Sequence, residues 1–337
     1  MPTTPASQRT PGPDVLFAVG DTGMPTYRGV DVGTLVGTPF ERVWGLLVDG
    51  APTPGLPPAE PFNLPTRTGD VRVDVQSALA QLGPVWAYRP LAEVPADEAR
   101  DNLARASVMV LSLVAQSARG ADVPAVPQRE IDLAPRVTER FLVRWRGEAD
   151  PVAVEALDVF WLTVAEDGLS PSTRTVRLAA EVGADAASSL SAAVAVAGGP
   201  FGGGAVSRGL ALLDRVERAG DADAALADHL ARDRSLPGFG DQQVPLDARV
   251  ELLREACVGL GARRVEAADA LVDAVARSAV GNGEGAGVAH RPNALLWGTV
   301  LLDGVGVPAW LVSALYMCGR TAGWSAHLLE VHRELHP

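Results

Sequence analysis

The stretch Gly199-Pro200-Phe201-Gly202-Gly203-Gly204-Ala205 leads into a helical pattern over Val206–Val216. Glycines without a Cβ allow close approach to the backbone, and the amides that open a helix favour an anion. The same run serves equally well as a tight joint between two helices with no ligand. All 29 basic residues are arginine. The absence of lysine excludes Schiff-base chemistry, pyridoxal phosphate attachment and a phosphate-loop lysine. Guanidinium groups can still clamp a carboxylate through two parallel bonds. Cys257 and Cys318 lie singly in apolar sequence. They lack the spacing of a zinc site and the density of a secreted disulfide scaffold, so they read as buried thiols and no metal is expected.

The elements that must position these residues are mostly helical. A chain of 337 residues with 47% hydrophobic content can bury a large core, as one domain or a large domain with a smaller companion. A net charge of -12 sets aside nucleic acid and anionic membrane surfaces as partners. Residues 1–13 are polar and proline-rich, with no apolar run of signal-peptide length, and no later stretch reads as a membrane span, so a soluble cytoplasmic protein is expected.

Val15–Val19 and Met24–Arg28 flank Gly20-Asp21-Thr22-Gly23 and predict a short hairpin. Thr38-Pro39-Phe40-Glu41 reads as a capping box, followed by Phe40, Val43, Trp44 and Leu47 at helical spacing. Six prolines make Ala51–Gly69 a connection. Helices are predicted over Asp97–Ala118, after Asp150-Pro151, around Ala268–Val275 and over Pro308–Glu330, and the alanine-rich Ser172–Ala197 reads as one buried central helix. The fold class is all-α.

Further motifs follow in order: Leu236-Pro237-Gly238-Phe239-Gly240-Asp241, Asp247-Ala248-Arg249, Arg291-Pro292-Asn293-Ala294-Leu295 and Arg320-Thr321-Ala322-Gly323-Trp324. With Tyr27-Arg28-Gly29-Val30-Asp31 and Glu166-Asp167-Gly168-Leu169-Ser170 upstream, this series resembles the citrate synthase family from about residue 15 to the C-terminus. The resemblance implies a two-domain helical fold with a short N-terminal hairpin. It divides the chain into a disordered 1–14, a large domain of 15–213 and 300–337, and a small mobile domain of 214–299. It also implies a dimer whose cleft condenses an acyl-CoA with a 2-oxo acid. That reaction needs a base, donors to the enolate and keto oxygens, and arginines for the carboxylates.

The proton-handling positions depart from the family pattern. Gly202 and Asp241 stand at the places of the two family histidines, and Leu295 at that of the aspartate base. Asp167 replaces a histidine that contacts the 2-oxo acid. Arg249 and Arg320 match two substrate arginines, whereas His336 stands where the third would cross from a partner subunit. The family's basic residues for CoA are replaced by Gln242-Gln243-Val244-Pro245, so no cofactor is expected and CoA binding should be weak or absent.

Two functions remain open. One is a non-catalytic or regulatory family member, as a homodimer or in a heterodimer with an active citrate synthase paralogue, that retains at most a di- or tricarboxylate ligand. The other is a divergent enzyme acting on a small carboxylate, with Asp241 and Asp167 as acid and base.

Overall fold

The computed structural model describes residues 15–20, 23–199, 206–233, 235–240, 247–279 and 291–336. The predicted hairpin is present and gains a third strand. Strand β1 (Phe17–Val19) pairs antiparallel with β2 (Pro25–Tyr27), Phe17 opposite Tyr27, and β2 pairs in turn with β3 (Val30–Asp31). Tyr27 turns inward from this sheet and is fully buried. Its hydroxyl donates to the Leu162 carbonyl at 2.8 Å and accepts from the Glu166 amide at 3.3 Å, which ties the sheet to the helical body.

Helix α1 (Phe40–Asp49) forms as predicted, but Thr38 does not cap it. Pro39 takes the cap position, and the Phe40 amide is satisfied instead by a carboxylate oxygen of Asp158 at 3.2 Å. The proline-rich connection leads to α2 (Val71–Val85), capped by the Asp70 side chain, and α3 (Ala96–Arg119) follows. The short α4 (Gln128–Ile131) precedes α5 (Val137–Arg146) and α6 (Pro151–Val164), the last with Asp150 as cap and proline at its first position.

The alanine-rich stretch is two helices, α7 (Pro171–Glu181) and α8 (Ala186–Ala197). Gly183 adopts a left-handed φ of 85°, and the Asp185 side chain then accepts the amides of Ala187 and Ser188. A left-handed glycine followed by a capping aspartate stops one helix and starts the next, and uniform alanine content masked that signal.

Helices α9 (Val206–Ala219), α10 (Ala222–Arg232), α11 (Arg249–Leu260), α12 (Val265–Ala279) and α13 (Ala294–Gly304) lead to α14 (Ala309–Leu335). At 27 residues α14 is about 40 Å long, and most of its side chains are buried. It is the axis against which α1, α3, α6, α7 and α9 pack. Among the described residues no single helix is long and apolar enough to cross a membrane.

Candidate active-site cleft

The C-terminal end of α6 and the middle of α14 approach closely because α14 carries glycine where they cross. At Gly323 an added Cβ would drive into the Ala165 carbonyl and the Glu166 carboxylate, and at Gly319 it would meet Trp161 and Val164. The Gly323 amide donates to the Ala165 carbonyl at 3.1 Å, and the Trp161 indole donates to the Leu315 carbonyl at 3.0 Å. This contact sets Glu166 and Asp167, just past α6, beside Arg320.

A second joint brings two distant motifs together. Phe239 and Pro292 form an antiparallel bridge, and the Asn293 amide donates to the Gly238 carbonyl at 2.9 Å. Gly238 has φ 84° and sits where a Cβ would press on Leu296, so glycine is required on both counts. Asn293 caps α13 through the Leu295 amide and also donates to the Gly240 carbonyl at 2.9 Å.

Between these joints lies a cavity of about 50 Å³ bounded by Thr163, Val164, Asp167, Asp247, Arg249, Asn293, Ala294, Leu295 and Tyr316. Arg249 is buried and closed on Asp247, with bonds of 2.8 Å and 3.0 Å to the two carboxylate oxygens. Its remaining terminal nitrogen donates to the carbonyls of Thr163 at 2.8 Å and Glu166 at 3.2 Å. Arg320, with no exposed surface, has one nitrogen 3.0 Å from Asp167 and another 3.6 Å from Glu166, and it donates to the Thr173 hydroxyl at 2.8 Å. Burial opposes the charge of both guanidinium groups, but the neighbouring carboxylates outweigh it and raise both pKa values.

His327, two turns along α14 from Arg320, places Nε2 3.3 Å from Glu166 and Nδ1 3.0 Å from Glu330. Burial pushes its pKa down, yet the two carboxylates prevail and lift it to about 9. Glu166 is fully buried, which works against its charge, but Arg320 and His327 hold it below the usual carboxylate range. Tyr316 donates to Asp167 at 3.4 Å, and burial raises its hydroxyl pKa. Arg249, Arg320 and protonated His327 thus face four carboxylates, Asp167, Asp247, Glu166 and Glu330, the last also paired with Arg177.

A family model described as the C-terminal domain of citrate synthase matches residues 14–336. The chain belongs to the citrate synthase family. Proteins described as "putative citrate synthase 2" from Mycobacterium tuberculosis and Mycobacterium bovis are 49% identical over 322 residues, which is 93% of this chain and 84% of theirs. Among solved structures, citrate synthase from Thermoplasma acidophilum, in a ternary complex with carboxymethyl coenzyme A and oxaloacetate, aligns with a TM-score of 0.75 at 19% identity. That alignment covers 94% of this chain and 88% of the other. Citrate synthase from Thermotoga maritima aligns at 0.68 with 20% identity over 94% and 87% of the two chains. At these identities the structural comparisons speak to the fold alone.

Set against the family pattern, the structure brings Asp167, Arg249 and Leu295 to one cavity and backs it with Arg320. Gly202 and Asp241 lie outside the described residues, as do residues 242–245 of the CoA segment. His336 is exposed at the end of α14, stacked on His332 at 4.5 Å, and does not line the cavity. The sequence reading missed Glu166, Tyr316, Asp247 and His327 as members of the site. Arg320, Gly323 and His327 recur at helical spacing on one face of α14, and that pattern could have marked His327.

Proposed function

We propose that this member of the citrate synthase family does not run the family's condensation and serves as a non-catalytic, binding or regulatory chain. The observation that carries the proposal is the 3.0 Å contact between Arg320 and Asp167, which engages a matching substrate arginine with the protein's own carboxylate. Arg249 is closed on Asp247 in the same way. A second carboxylate entering this cavity would meet two resident anions at short range in a poorly solvated site, where like charges repel most strongly.

The chemistry lacks its base as well. A leucine cannot accept the proton alpha to a thioester, and loss of one catalytic base or donor commonly costs about 10² to 10⁴ in rate. Leu295, which stands at the place of that base in the sequence resemblance, is among the residues that line the cavity. The absence of lysine and the uncharged Gln242–Pro245 segment support weak or absent CoA binding. The retained fold leaves assembly as the remaining role, either with itself or with an active paralogue.

The test is thiol release from acetyl-CoA with oxaloacetate by the purified chain, alone and mixed with an active citrate synthase. The expected result is no turnover alone and a changed rate or co-elution in the mixture. Turnover alone that is abolished by Arg249→Gln would overturn the proposal. A reaction with another small acid that Asp167→Asn removes would favour the divergent enzyme instead.

A further inference from the structure

Away from the cleft, a second and larger cavity of about 160 Å³ opens between the C-terminal end of α3, the connection before α2, the 123–128 segment and α5. Three arginines line it, Arg67, Arg119 and Arg144, and none of them has a carboxylate within 4 Å among the described residues. Neutral acceptors hold each of them in place. Arg67 donates to the Gln116 carbonyl at 2.8 Å. Arg119 donates to the carbonyls of Pro124 at 2.6 Å and Trp145 at 3.0 Å. Arg144 donates to the Gln128 side chain at 2.9 Å. A guanidinium has five donors, so each keeps several to offer.

A small adjoining cavity shares Gln128 and Arg144 and adds a fourth arginine, Arg140, with no ion pair among the described residues and held by the Ala134 carbonyl at 2.8 Å. Among the described residues the one carboxylate on either wall is Asp132, which accepts from the Gln128 side-chain Nε2 at 2.8 Å. This arrangement goes against the chain's composition. With 41 acidic residues against 29 arginines, carboxylates are in excess, and Arg100, Arg249, Arg254 and Arg264 are all closed on them. Arg144 carries the cost most plainly, since burial pulls its pKa down and Asp132 restores only part of it. Guanidinium groups gathered without counter-charge destabilise one another and are relieved by an anion with two or more charges.

We propose that the cavity framed by Arg67, Arg119 and Arg144 is a binding site for a small organic dianion, recognised through a phosphate or carboxylate group by guanidinium forks. It is built from α3 and α5, not from the ends of α6, α11, α13 and α14 that make the cleft, so its occupancy does not depend on the fate of the condensation reaction. Gln116 fixes the wall, because its side chain donates to the Phe62 carbonyl at 2.8 Å and accepts the Leu64 amide at 3.2 Å. The ligand would therefore meet a preformed site.

The experiment is calorimetric titration of the full chain with glycerol 3-phosphate and with succinate, at constant ionic strength against a chloride control. The expected result is saturable one-site binding, in the millimolar range or tighter, of at least one of the two, and the stronger one identifies the recognised group. Arg67→Gln and Arg144→Gln should each weaken it about tenfold, the loss of one charge-assisted hydrogen bond. Arg67 is exposed, so Arg67→Gln should leave the unliganded melting temperature unchanged and remains informative if Arg144→Gln folds poorly. No saturable binding of either compound would overturn the proposal, as would binding that Arg67→Gln leaves intact. Binding that responds only to Asp167→Asn would place the anion in the cleft and would also overturn it.

Discussion

Asp167 lies 3.0 Å from the guanidinium of Arg320, so a fully buried arginine at the cleft meets an acid of its own chain. Replacing that acid should reopen the site. Asp167→Asn keeps the shape and removes the charge, leaving Glu166 as the one carboxylate within 4 Å of Arg320 among the described residues. Oxaloacetate or citrate is expected to raise the melting temperature of Asp167→Asn and not that of the parent chain, since a ligand that binds the folded state stabilises it. Equal shifts in both proteins would show that Asp167 does not guard the site.

The buried charge network predicts a pH dependence through His327. Its folded pKa of about 9 exceeds the unfolded value near 6.5. The stabilisation is therefore fully present below about pH 6.5 and is lost as the pH rises through about 9. Melting curves from pH 6 to pH 10 should fall across that window in the parent chain, and the fall should flatten in His327→Gln. The charged groups facing the ring are Glu166, Glu330 and Arg177, the last 3.4 Å from Nδ1.

Asp158 joins three helices, accepting the Phe40 amide at the start of α1 and the Thr138 hydroxyl on α5. Burial raises its pKa to about 6, and these two hydrogen bonds offset only part of the rise. A carboxyl with a raised pKa favours folding below its unfolded value near 4, and that contribution is lost as the pH rises through about 6. Asp158→Asn keeps an acceptor and should remove this pH dependence with little loss at neutral pH. Asp158→Ala orphans both donors and should cost about 1–3 kcal/mol in chemical denaturation.

Glycine serves different ends at two helical sites. Gly323→Ala should destabilise the protein by about 1–3 kcal/mol or more, because its Cβ has no room against Ala165 and Glu166. Gly259, exposed near the end of α11, has nothing within 4 Å of an added Cβ. Gly259→Ala should stabilise by about 0.5–1 kcal/mol through the lower entropy of the unfolded chain. Urea denaturation of both variants checks the contrast.

Much of the fold was legible because its signals are local. Asp150-Pro151 starts α6, the prolines of 52–65 keep a connection, and Tyr27 marks the sheet that docks on α6. Signals with distant partners were not legible. Asp158 caps α1 from 118 residues away and displaces Thr38 from that role. The break between α7 and α8 was local, but it was hidden within uniform alanine content.

The sequence by itself determined the helical class, the family resemblance and the residue types at the cleft, including Leu295 and the complete absence of lysine. Those properties rest on side-chain chemistry and on spacing along one segment. The tertiary structure decided what the arginines do. Arg249 is closed by Asp247 two residues away, but whether Arg320 faces a ligand or the chain's own carboxylates depends on the crossing of α6 over Gly319 and Gly323, and so do the charge on His327 and the low pKa of Glu166. Electrostatic pairing in a buried site is set by ångström-scale distances between segments about 150 residues apart, which no local pattern encodes.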